Sequence, residues 1–188
     1  LNKGDFIKSN LFFKPSGLAN IGSHALSTFL FLTNQKISKI VKCDLIENKR
    51  KSRGVNYNDP NATLILETQN GRNVYIDNTS IHCLSTNIFI EYENLYVNIY
   101  DNKKMVIKFK NIKDNDLIYY NKYPINTLGG KYRTLDNAMS TLINGNFDSI
   151  DFAFDAVEII LASHIAFKES RIINLPLIGE SKPYYNFS

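Results

Sequence analysis

The sequence contains little cysteine and has only a small net charge. The 188 residues include only two cysteines, Cys43 and Cys83, which cannot build a framework of several disulfides and do not have metal-finger spacing. A reducing compartment is the simpler expectation, and we predict a cytoplasmic location. The formal net charge of +4 lies far below the dense Lys and Arg patterning of nucleic-acid-binding proteins, so nucleic acid is not an expected partner.

Long apolar runs are also missing. The most apolar stretch, from Ala25 to Leu32, is much shorter than the roughly 20 residues that a transmembrane helix needs, so the sequence predicts no membrane span. Residues 1–5 lack the charged and apolar regions of a secretion signal. Because the sequence opens on Leu1 rather than on Met, we expect it to be part of a longer chain.

Glycine-rich phosphate motifs are absent too. The nine glycines include Gly129 and Gly130 but form neither a G-x-G-x-x-G fingerprint nor a Walker sequence, and no G-x-S-x-G signature occurs. We therefore expect no cofactor-binding residues in this chain. The sequence does have 44% hydrophobic residues, which is enough to bury a core, so general disorder is excluded.

Hydrophobic periodicity predicts an α+β fold, because apolar residues either alternate with polar ones or recur at helical spacing. The predicted strands are 5–13, 37–46, 64–67, 74–76, 88–92, 95–100, 105–109 and 171–176, and the predicted helices are 18–32, 135–142 and 149–169. Asn70-Gly71 predicts a type I′ hairpin, and Glu93-Asn94 a second turn. We expect one domain over residues 1–188: an open, mainly antiparallel sheet with a central meander and with helices packed on one face.

A polar stripe interrupts the otherwise apolar first helix. Asn20, His24, Ser27 and Thr28 lie at i, i+4, i+7 and i+8, which places them on one face. Because buried polar groups need partners, this face should meet a polar neighbour, a ligand or a water-lined cleft. Only His24 exchanges protons near neutral pH, so it is the candidate catalytic residue. A histidine that is merely hydrogen-bonded between helix and sheet explains the pattern as well, and that alternative stays open.

Three other features favour structural interpretations. His82 lies beside Cys83, but one adjacent Cys and His without a second pair is a weak signal, and we predict no metal site. His164 falls in the apolar stripe of the last helix, as a core histidine does. The basic run 49–54 could pair with the diphosphate of a nucleotide-sugar, although charge runs in loops are usually only solvated.

Two segments resemble the C-terminal domain of the Gfo/Idh/MocA oxidoreductases, the group of glucose-fructose oxidoreductase and inositol dehydrogenase. Gly17 to Ser27, with its Gly22-Ser23-His24 run, resembles the helix that opens that domain. Phe154 to Pro176 resembles its last helix and closing strand. The order of the predicted elements between these segments agrees over nearly the whole chain.

The resemblance implies that His24 matches the family's active-site histidine, which contacts the substrate hydroxyl and relays its proton. Asn20 stands where the family commonly has Asp, and an amide can orient a hydroxyl but cannot act as a base. Ser27 replaces a second Asp. The resemblance further implies that a separate N-terminal Rossmann domain carries NAD or NADP and an active-site lysine.

These expectations combine into one functional prediction: the substrate-binding and dimerisation domain of an NAD(P)-dependent oxidoreductase that acts on a sugar, cyclitol or nucleotide-sugar. Asn20, Ser27 and Thr28 would contact the substrate. The expected partners are that small molecule, the Rossmann domain and a second copy of the chain. Alone, the chain should neither bind NAD(P) nor turn over a substrate. The alternative is a non-catalytic sheet domain for oligomer assembly or carbohydrate binding, in which His24 is structural.

Overall fold

The computed structural model describes residues 3–47, 59–80, 83, 85–100, 104–110, 118–120 and 148–178. Within these ranges the strands are β1 (Phe6–Phe12), β2 (Ile37–Ile46), β3 (Asn61–Thr68), β4 (Asn73–Asp77), β5 (Asn87–Tyr92), β6 (Leu95–Tyr100), β7 (Lys104–Phe109), β8 (Ile118–Tyr120) and β9 (Ile173–Asn174). The α-helices are α1 (Ser23–Thr33), which follows a π-helical turn (Leu18–Gly22), and α2 (Asp148–Glu169). The fold is α+β, as predicted. The predicted helix 135–142 lies outside the described residues.

The described strands form one sheet in the order β8-β7-β6-β5-β1-β4-β3-β2-β9. Every neighbouring pair is antiparallel except β1 and β4, which run parallel. The predicted antiparallel meander is therefore present but is interrupted between β4 and β5. The first strand lies between β4 and β5 and divides the meander into β2-β3-β4 and β5-β6-β7-β8. It has a hydrogen-bonded neighbour on each side, β4 running parallel and β5 antiparallel to it.

The two predicted hairpin turns had different outcomes. Glu93 and Asn94 join β5 to β6 directly, as expected. The prediction of a type I′ turn at Asn70-Gly71 was wrong, because that turn needs positive φ at both residues and here only Gly71 has it, at 71°. The Gly71 N–H donates to the Thr68 carbonyl at 2.9 Å and the Thr68 N–H donates to the Arg72 carbonyl at 2.8 Å, so the loop is one residue longer, with a single left-handed glycine.

One face of the sheet carries the core, and both helices pack on that face. Alternate residues of the central strands are fully buried there, including Leu11, Leu64, Leu66, Ile76, Ile88 and Ile90. Phe29 of α1 contacts Phe6 of β1 edge to face, with 5.8 Å between ring centroids. Burial of these side chains, at about 1.5–3 kcal/mol each, holds α1 firmly on the sheet.

The last described strand is shorter than the sequence predicts. The predicted closing strand 171–176 is reduced to Ile173–Asn174, which pairs with Lys39 and Ile40 at the outer edge of β2. Pro176 cannot donate to the ladder, so the pairing stops after the Leu175 N–H donates to the Ser38 carbonyl at 2.7 Å. In the part of the chain that is described, no helix combines the length and apolar character needed to cross a membrane.

Candidate functional site

The candidate site is built on the first helix, whose entry is a π-helical turn. Pro15 and Ser16 interrupt the extended chain, and Gly17 then takes a φ of 94°, which a residue with a side chain rarely adopts. Leu18–Gly22 wind as a π-helix before α1 continues from Ser23. Such π-helical turns are rare and occur often at functional sites.

The backbone amides of residues 17–20, at the start of this helix, all donate to three consecutive residues that lead into β3: Asp59, Pro60 and Asn61. The Gly17 N–H donates to Oδ1 of Asn61 at 3.1 Å, and the Leu18 N–H donates to the Pro60 carbonyl at 2.8 Å. The Ala19 and Asn20 amides donate to the two oxygens of Asp59, at 2.8 and 2.9 Å. These are the donors that a helix leaves without partners inside itself, so a carboxylate from a distant segment caps the helix at its positive end.

The predicted polar stripe lies on the outer surface of this helix. Asn20, Ser27 and Thr28 are half-buried, and His24 is exposed. Ser27 donates its hydroxyl to the Ser23 carbonyl at 2.8 Å, and Nδ2 of Asn20 donates to the Ser16 carbonyl at 3.3 Å. The stripe is therefore partly satisfied by its own helix, and burial alone does not require a ligand there.

The position of His24 defines what this surface can do chemically. An exposed imidazole can exchange a proton with a molecule that approaches the outer side of α1, while the amide of Asn20 one turn earlier can orient a hydroxyl. The helix supplies only one wall of such a site. The stripe ends at Phe31, whose side chain is 63% exposed and contacts the ring of Phe152 on α2 at 5.9 Å.

Two cavities lie away from the stripe. One, of about 330 Å³, lies between residues 41–44 of β2 and the C-terminal end of α2 and is lined by Cys43, Asp44 and Arg171 among others. The second, of about 170 Å³, lies between Leu32 and strands β5 to β7 and is mostly apolar. His24 lines neither of them.

The other singled-out histidines and cysteines do not join the site. His164 is half-buried on α2, where burial lowers the pKa of its imidazole while the negative charge of Asp59 opposes that change. Burial, with a smaller effect of Asp44, raises the pKa of the Cys43 thiol to about 12. The Cys83 thiol donates to the Ser85 carbonyl at 3.1 Å. His82 and the basic run 49–54 fall outside the described residues, and within those residues no three His, Cys, Asp or Glu side chains form a group that could hold a metal ion.

Sequence reasoning missed Asp59, Asn61 and the π-helical turn. The segment before β3 looked like an ordinary polar loop, because Asp59 lies 40 positions from Ala19 and 39 from Asn20, and contacts at such a distance give no local signal. The most useful clue was Gly17 directly before the helix, since a glycine is needed where the backbone turns with positive φ.

Comparison with known proteins places the fold but not the family. No family model matches the sequence, and the comparison with curated proteins found no match. The super-repressor mutant of Gal80p from Saccharomyces cerevisiae matches 92% of the chain with a TM-score of 0.70 and 12% identity. An NAD binding oxidoreductase from Klebsiella pneumoniae matches 92% with a TM-score of 0.67 and 12% identity. The WlbA dehydrogenase from Bordetella pertussis, in complex with NADH and UDP-GlcNAcA, matches 94% with a TM-score of 0.64 and 12% identity.

At this low identity the likeness establishes the architecture alone. The α+β fold is that of the C-terminal domain of Gfo/Idh/MocA-like oxidoreductases, as the sequence predicted. The chain spans 58% of the Gal80p structure, 59% of the Klebsiella oxidoreductase and 58% of the WlbA dehydrogenase. It therefore corresponds to a little over half of each of these proteins.

Proposed function

We propose that this chain is the C-terminal, substrate-binding and dimerisation domain of a cytoplasmic NAD(P)-dependent oxidoreductase that acts on a sugar, cyclitol or nucleotide-sugar. The observation that carries the proposal is the exposed His24 on the first helix of this fold, directly after a capped π-helical turn. The solved structures of the same fold include a dehydrogenase with NADH and UDP-GlcNAcA and a levoglucosan dehydrogenase with NADH and L-sorbose.

In this proposal the residues of the stripe divide the work. His24 accepts or returns the proton of a substrate hydroxyl, because an imidazole titrates near neutral pH. Asn20 orients the hydroxyl through its amide, and Ser27 and Thr28 contribute further polar contacts. Since one helix provides a single wall, the remaining contacts come from an N-terminal Rossmann domain.

The described residues do not fit the dinucleotide itself. A helix N-terminus after a glycine turn is the usual seat of a pyrophosphate, but the N-terminal end of this helix is already filled by the carboxylate of Asp59. NAD or NADP would therefore be held by the Rossmann domain. No chemical step of the cofactor is assigned to this chain.

Substitution of His24 in the complete two-domain protein tests the proposal. We expect His24→Ala to abolish turnover of an accepted sugar while the affinity for NAD(P) is retained, because the histidine contacts substrate rather than cofactor. Turnover is measured by NAD(P)H absorbance and affinity by fluorescence titration. Lys36→Ala, an exposed change just beyond the same helix, is the matched control. Unchanged turnover in the His24 variant would contradict the proposal.

One observation favours the alternative of a non-catalytic sheet domain for assembly or carbohydrate binding. The face of the sheet opposite the helices carries two aromatic pairs, Phe12 with Tyr75 and Phe89 with Tyr96, at 5.9 and 5.6 Å between ring centroids. Such rings can stack on sugars or cover a second copy. An encoding gene that continues upstream with a strand, G-x-G-x-x-G and a helix would support the enzyme; a start codon directly before Leu1 would support the alternative.

A further inference from the structure

The carboxylate of Asp59 is a charged group buried at the entry of the site's helix. The residue is only 5% exposed, and each oxygen accepts one backbone amide, from Ala19 and from Asn20. A buried carboxylate is costly unless hydrogen bonds compensate it, and amide donors at the positive end of a helix provide that compensation. The arrangement is therefore a fixed joint between the segment leading into β3 and the helix.

The neighbouring backbone is shaped around this carboxylate. A Cβ atom on Gly17 would lie 2.0 Å from Oδ2 of Asp59 and 2.2 Å from its Cγ, so only glycine leaves room for the carboxylate at this distance. The φ of 94° at Gly17 turns its own amide toward Asn61 at the same time. Gly17 and Asp59 thus form one unit, although they are far apart in the sequence.

The joint is directly connected to the candidate site. One of the two amides that Asp59 holds belongs to Asn20, and His24 follows one helical turn later. Because a helix rises only about 1.5 Å per residue and is stiff over such a distance, fixing the amides of residues 19 and 20 fixes the place of His24 against the sheet. A shift at the cap would move both site residues together.

We propose that Asp59 is a positioning residue, which sets the π-helical turn and thereby the placement of Asn20 and His24. That Asn20 and His24 matter for activity rests on the proposed function. The hydrogen bonds between Asp59 and the helix amides do not depend on that function. A second consequence follows for specificity. The amides of residues 17–20 already donate to Asp59, Pro60 and Asn61. The anionic part of a nucleotide-sugar therefore has to be bound elsewhere.

The test compares Asp59→Asn with Asp77→Asn in the 188-residue chain. The amide side chain introduced by Asp59→Asn keeps one acceptor oxygen but presents an NH₂ donor to the second backbone amide, which thereby loses its partner. Asp77 is a matched control because its Oδ1 also accepts a backbone amide, that of Thr79 at 2.8 Å, at the end of β4. We expect hydrogen exchange of the Ala19 and Asn20 amides to accelerate by roughly tenfold or more in Asp59→Asn and to stay unchanged in Asp77→Asn.

A second readout distinguishes positioning from general stability. Asp59→Asn should also move the backbone amide signals of Asn20 and His24 in two-dimensional NMR spectra, because the carboxylate that fixes the start of their helix is lost. The same signals should keep their positions in Asp77→Asn.

The outcomes separate the two proposals. Unchanged exchange at residues 19 and 20 in Asp59→Asn, or a His24 amide signal that keeps its position in that variant, would overturn the positioning role. Neither result bears on whether His24 is catalytic. Conversely, full activity of His24→Ala in the complete protein would remove the proposed function and leave the exchange and amide-signal results standing.

Discussion

At the scale of single residues, the physical environment separates groups that the sequence makes look alike. Cys43 and Cys83 are both free thiols, but the Cys43 side chain is partly buried against the hydrophobic core, where burial raises its pKa to about 12. A raised thiol pKa favours the protonated form in the folded state. Its contribution to stability is therefore complete below the ordinary value of 9.0 and is lost as the pH rises toward about 12.

The same shift predicts low reactivity of Cys43. In a Cys83→Ser background at about pH 9, iodoacetamide should alkylate Cys43 at least about a hundredfold more slowly in the folded protein than in urea, because only a small fraction is thiolate. Mass spectrometry of timed samples measures the rate. Similar rates in the folded and unfolded protein would show that the thiol is not held in this environment.

At the scale of elements, two of the glycines with positive φ, Gly17 and Gly71, differ in what surrounds them. Gly71 has a φ of 71° but open space around it, whereas Gly17 combines positive φ with the carboxylate of Asp59. Gly71→Ala should lower the free energy of unfolding by about 1–2 kcal/mol through backbone strain alone. Gly17→Ala should cost clearly more, because the added methyl also displaces the cap. Urea unfolding of both variants tests this, and equal losses would contradict the account.

Elements that depend on local sequence patterns could be predicted, and those that depend on contacts between distant segments could not. Strands such as Leu95–Tyr100 and the helix Asp148–Glu169 agree closely with their predicted bounds, since hydrophobic periodicity is a local signal. The position of β1 between β4 and β5 could not be predicted, because pairing between distant strands leaves no trace in either one alone. The same holds for Asp59, whereas the surface stripe around His24 was visible from spacing.

At the scale of the whole molecule, one sheet face is covered by helices and the other is not covered within the described residues. The aromatic pairs of the open face, flanked by the ion pair of Lys110 with Glu91 at 2.8 Å, suit an interface between two copies. We expect a dimer through this face in sedimentation experiments at micromolar concentration. Phe12→Asp should shift the chain to monomers, and Phe31→Ser on the helical side should not. A monomeric unsubstituted chain would exclude this interface.

The central place of β1 also governs how the sheet is assembled. Among the nine described strands, the one that leaves the ribosome first is the one whose two neighbours, β4 and β5, are synthesised long after it. Until both neighbours exist, β1 cannot join the two halves of the sheet. That joining is therefore a late event that depends on contacts between distant segments, and topologies of this kind fold slowly. Loss of the segment that contains this strand would leave β4 and β5 without the hydrogen-bonded neighbour that joins the two halves of the sheet.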